Sequence, residues 1–135
     1  MSYLQAAVFI LLNGDVLYPL VLSAVVGVFS YGAAVRSGEL NTPPQRFLFW
    51  SSAVMLGVLY LWGVAWMPTS GRHGNPGWAS DLILAPLATC PILATIAVVR
   101  LKNVRVAASL FGAVNVLCCL FVALVSYMAV SSYWL

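Results

Sequence analysis

Four long apolar stretches dominate this chain and leave little else: residues 3–35, 47–67, 82–99 and 106–131. A hydrocarbon core about 30 Å thick is crossed by ~20 apolar residues in a helix. Inside lipid, every backbone N–H and C=O needs a partner within the protein, and a helix supplies one locally. The connectors, 36–46, 68–81 and 100–105, are too short to form a domain. The expected fold is therefore all-α, an integral membrane four-transmembrane-helix bundle. It forms one transmembrane domain over 1–135, with spans near 16–35, 47–67, 82–99 and 106–131.

Composition closes the other routes. Hydrophobic residues make up 63% of the chain and charged residues 7%, against about 25% charged in a soluble domain. So few charges cannot cover a water-exposed surface, and this much apolar surface is incompatible with disorder. The net charge of +3 comes from six basic and three acidic side chains, too few to imply a nucleic-acid partner. The first apolar stretch runs on into a full span, so no cleavable leader is expected.

The basic residues set an orientation. Arg36 and Arg46 flank the first connector, and Arg100, Lys102 and Arg105 lie in the third. Only Arg72 lies in the second, so five of the six basic residues share one side. The positive-inside rule makes that side cytoplasmic. Loops 36–46 and 100–105 then face the cytoplasm and both termini face outward, which in a bacterial inner membrane is the periplasm. Aromatic residues near the span ends agree. Trp66, Trp78, Tyr133 and Trp134 read as an outer belt of interfacial anchors, and Tyr31, Phe47 and Trp50 as an inner one.

The first stretch is too long for one crossing. A continuous helix from 3 to 35 would reach ~50 Å at 1.5 Å per residue. A break at Asn13-Gly14-Asp15 resolves this, with Asp15 capping the spanning helix and Pro19 in its first turn. The remaining short segment, 2–12, is almost wholly apolar and shows no polar face. It needs cover, so Tyr3, Leu4, Val8, Phe9 and Leu12 become a candidate docking segment. In the third span, Ser80-Asp81 reads as an N-cap, and Pro86 and Pro91 as the source of a kink.

Few side chains carry candidate chemistry. Asp15 could bind a cation or move a proton if it lies at membrane depth, and caps a helix if it lies at the interface. Asn115, in the middle of the last span, could line a polar path or bond to a neighbouring helix. Tyr60, Thr89 and Thr95 pose the same alternative more weakly. Cys118-Cys119 and Cys90 are all in apolar stretches, which argues against a disulfide framework. Adjacent helix residues point about 100° apart, so Cys118 and Cys119 do not chelate one ion by themselves, and free cysteine also packs as a small apolar residue. The single histidine, His73, sits in a Gly-rich connector and reads as a solvated loop residue. Small residues recur at helical spacing, Ser23 with Gly27, Ala53 with Gly57 and Ala108 with Gly112, as at close helix contacts.

No acid, base, nucleophile and metal set falls within mutual reach by sequence, so no catalysis, cofactor or metal site is expected. The first functional expectation is a small non-catalytic subunit, accessory, assembly or immunity-type. It would pack with membrane lipid and with other membrane protein subunits, or as a homo-oligomer. The alternative is a small oligomeric ion or solute transporter or channel built on Asp15 and the broken first segment.

Overall fold

The computed structural model describes residues 14–38, 40–66 and 76–131; for 14–16, 129 and 131 it describes the backbone alone. Five α-helices fill the described residues: α1 (Gly14–Arg36), α2 (Pro43–Trp66), α3 (Gly77–Asp81), α4 (Leu84–Arg100) and α5 (Arg105–Ser131). A single 3-10 turn, Lys102–Val104, joins α4 to α5. Four helical units are long and apolar enough to cross a membrane, with α3 and α4 together making the third. The chain is an all-α membrane protein consistent with a four-transmembrane-helix bundle. It carries an extra N-terminal apolar segment, 2–12, that lies outside the described residues.

Local chemistry sets the connectors at one end of the bundle, the inner end by convention. Helix α1 ends at a glycine in the left-handed region, Gly38 with φ +78°, whose N–H donates to the Val35 carbonyl at 3.0 Å. Helix α2 starts below its apolar stretch because Thr42-Pro43-Pro44-Gln45 is a strong start signal. Pro43 occupies the first helical position, where a missing N–H costs nothing. The Thr42 N–H donates to Gln45 Oε1 at 3.2 Å, one half of a capping box. Arg46 Nε donates to the Leu40 carbonyl at 2.9 Å and folds the connector back on the bundle.

Two sequence expectations change here. Pro19 lies in the second turn of α1, because the described helix already begins at Gly14. Ser80 and Asp81 do not cap the third span. They close the short helix α3, where the Ser80 hydroxyl donates to the Gly77 carbonyl at 2.7 Å. The caps are Pro76 for α3 and Ile83 for α4, neither with a side-chain cap bond. Pro76 supplies the extended backbone that lets α3 begin inside what reads as a loop. The docking segment Tyr3, Leu4, Val8, Phe9 and Leu12 lies outside the described residues, as do Arg72, His73, Tyr133 and Trp134.

Helix α5 is the centre of the bundle and packs against α1, α2 and α4, while α1 leans mainly on α5 and touches α2 little. Two apolar clusters form the core. The inner one joins Ala34, Leu40, Phe49, Leu101, Val104 and Phe111, so the first and third connectors meet at one end. The outer one joins Leu56, Leu59, Tyr60, Ile83, Cys90 and Val122 among others.

Candidate functional site

A polar layer inside the bundle lies between these clusters. A 27-residue helix, α5, carries Asn115 near its middle, and its side chain is wholly buried. Burying an amide in hydrocarbon is costly unless it bonds, and here both its ends are used. The Ser23 hydroxyl of α1 donates to Asn115 Oδ1 at 2.5 Å. Asn115 Nδ2 donates to Ser52 Oγ of α2 at 2.9 Å. Three helices are thus tied by one side chain, and both serines are themselves buried.

The remaining helical unit, the third, joins through sulfur. Cys90 of α4 lies 3.8 Å from the Ser52 carbonyl, within reach of a weak S–H bond. Its sulfur is also 3.2 Å from Cys119 Sγ of α5. Both cysteines are buried, and all three cysteines are free. Cys118 takes another direction. It lines a groove of about 750 Å³ between α1 and α5 with Tyr18, Pro19, Leu22, Leu117 and Phe121. The turn of about 100° between neighbouring helix residues separates the two.

A second set of contacts closes the outer half. The Ser126 hydroxyl of α5 donates to the Leu59 carbonyl of α2 at 3.3 Å. Gly63 of α2 lies directly over Ser126; a Cβ there would come within 3.0 Å of Ser126 Cβ and 3.3 Å of its Cα. Trp62 Nε1 donates to the Ala79 carbonyl at 2.9 Å, pinning α3 to the end of α2. Among the described residues, every buried side-chain nitrogen or oxygen has a hydrogen-bond partner. No group of three or more His, Cys, Asp or Glu residues is arranged among them to hold a metal ion.

The residues singled out from sequence are therefore scattered. Asn115 is the hub of the polar layer, whereas Tyr60 is buried in the outer cluster. Asp15 stands in the first turn of α1, and its side chain lies outside the described residues. Trp66 and Trp78 pack edge to face at the outer end, with centroids 5.5 Å apart and Trp62 against both. Trp50 turns inward, where its ring meets Tyr31, Phe49 and Phe111 at 5.8, 5.8 and 5.2 Å. Thr89 and Thr95 bond back to carbonyls of their own helix, those of Pro86 and Pro91. Ser52, Ser126 and Trp62 escaped sequence reasoning. The signal for Ser52 was a hydroxyl pair, Ser51-Ser52, in an otherwise apolar stretch.

Comparison of the chain with protein-family models, with curated proteins and with solved structures finds no match.

Proposed function

We propose that this chain is a small non-catalytic membrane subunit, of an accessory, assembly or immunity-type role, that packs in a larger membrane complex or with copies of itself. The observation that carries this reading is the closed interior. Ser23, Asn115 and Ser52 spend their polar groups on one another, and Ser126 spends its hydroxyl on the Leu59 carbonyl. A conducting path through one bundle would need polar groups left free for water or an ion. The bundle's chemistry is thus directed at its surroundings. The outward face of α1 is broadly apolar, with Tyr18, Val21, Leu22, Val25, Val28 and Phe29 all exposed by this chain. The apolar segment 2–12 leads directly into that helix.

The same reading includes an orientation. The first and third connectors share one end of the bundle, and that end carries Arg36, Arg46, Arg100, Lys102 and Arg105. Under the positive-inside rule it faces the cytoplasm, with the termini and α3 on the periplasmic side of a bacterial inner membrane.

The test is extraction of the native protein in nanodiscs followed by native mass spectrometry. Unlike chains bound in fixed stoichiometry, or a defined homo-oligomer, are the expected result. A monomer alone overturns the reading. A vesicle flux assay on wild type and Asp15→Asn then tests the transporter alternative directly.

A further inference from the structure

The polar layer leaves one reactive pair without a role. Cys90 and Cys119 come from different helices, are both buried, and place their sulfurs 3.2 Å apart. We propose that this pair is a redox-modification site: an intramembrane dithiol that closes to a disulfide and latches α4 to α5.

The geometry is close to what the bond requires. A disulfide holds its sulfurs about 2.05 Å apart, so the pair must close by about 1 Å. Pro91 follows Cys90 directly and has no N–H to give to the carbonyl four residues back. The helix is therefore least tied at the turn that has to move.

Apolar grooves flank the pair on the lipid side. Two grooves open along the α4–α5 seam, one of about 560 Å³ beside Pro91, Ala94, Gly112 and Val116. The other, of about 290 Å³, runs beside Leu84, Leu87, Leu120 and Ala123. Cys90 lies between Leu87 and Ala94 on α4, and Cys119 between Val116 and Ala123 on α5. The pair lies between the two grooves, buried and lining neither, so a lipid-soluble oxidant entering a groove meets it when the α4–α5 seam opens.

Burial disfavours a monovalent soft ion at this pair. Two thiolates on one monovalent soft ion would leave a net negative charge in an apolar interior, which is strongly unfavourable. The dithiol and the disulfide are both neutral. In the step itself, both S–H bonds break and one S–S bond forms. Two electrons and two protons pass to a membrane-permeant acceptor of the quinone or azodicarboxamide class.

The experiment uses the full chain in nanodiscs, oxidised with an azodicarboxamide. It is then denatured, its free thiols are mass-tagged, and intact masses are measured. Of the three cysteines, oxidised wild type should accept a tag at Cys118 alone, and a reductant should restore all three. Oxidised Cys118→Ala should accept none and still run as a monomer on a non-reducing gel. Cys119→Ser should keep both remaining thiols free. Three tags on oxidised wild type, a link between copies in Cys118→Ala, or loss of tags in Cys119→Ser would each overturn the proposal. The wild-type and Cys118→Ala readouts do not depend on altering the pair itself.

Discussion

The inner and outer halves of this bundle are closed by opposite means. In the inner half, large rings fill the space between helices. Phe49 of α2 stacks on Phe111 of α5 at 5.0 Å, and Trp50 and Tyr31 pack around them. Gly27 of α1 makes room for that filling, since a Cβ there would lie 2.8 Å from the Trp50 ring and 2.9 Å from Phe111. In the outer half the helices themselves come together, with Gly63 of α2 set over Ser126 of α5. The tryptophans of that half, Trp62, Trp66 and Trp78, gather on α2 and α3. One residue type does two jobs. A glycine is a hole for a ring at one end and a seat for a backbone at the other. Lipid gives no hydrophobic drive between helices, so both solutions rest on contact and hydrogen bonding.

The sharpest way to break the comparison is to add one methyl group at each glycine. Gly27→Ala and Gly63→Ala should each lower stability by about 1–3 kcal/mol, as overpacking of a filled interior does. Thermal unfolding in one fixed detergent would measure both. The two costs should have different cures. Trp50→Leu should relieve Gly27→Ala, and Ser126→Gly should relieve Gly63→Ala. The crossed pairs should simply add, since the sites share no partners. Coupling between Gly27 and Ser126 would mean that the halves are not packed independently.

These details separate what the sequence could show from what it could not. Four spans, their polar ends and the tie between the first and third connectors follow from hydropathy and charge, because the bilayer allows so few solutions. Asn115 was legible as a buried amide in need of partners, but its partners were not. Ser23 and Ser52 reach it only through a helix arrangement that no local pattern encodes. The spacing of small residues was a weaker guide. Of Gly27, Gly57 and Gly112, only Gly112 faces a neighbouring backbone, where an added Cβ would lie 3.0 Å from Ala94 Cβ and 3.7 Å from its Cα; Gly27 faces rings, Gly57 open space, and Gly63 was the glycine at the tighter seam. Trp50 reads as an interfacial anchor because it is near a span end, yet its ring is drawn inward by the gap at Gly27. Cys118-Cys119 are neighbours in sequence, whereas Cys119 meets Cys90, 29 residues away.

A smaller effect is expected at the layer between the halves. Asn115→Ala removes the acceptor for Ser23 and the donor to Ser52, and leaves a small gap in the middle of α5. The serines can turn back to carbonyls of their own helices, as Ser51 does toward Leu48 at 2.7 Å. The loss should therefore stay near the range of single interhelical bonds, about 0.6–1.7 kcal/mol. It should also loosen α1 first, since Ser23 is its buried polar tie to α5. Hydrogen exchange resolved by helix would show this as faster opening of α1 than of α2. Equal opening of both would mean that the layer serves the whole bundle alike.

Gly57 gives the smallest effect and the opposite sign. It lies on α2 six residues before Gly63, and a Cβ built there meets no atom within 4 Å. Gly57→Ala thus adds no clash and removes the backbone freedom that makes glycine a poor helix residue. The gain from that source is up to about 1 kcal/mol. The purified variant should be as stable as wild type or slightly more so, measured in the detergent used for Gly63→Ala. The contrast between two glycines on one helix then isolates the neighbour from the residue type. Ala is good for this helix where space is open and bad where Ser126 fills it. A loss at Gly57 as large as that at Gly63 would show that this face is also covered, and would move the boundary of the packed core outward across α2.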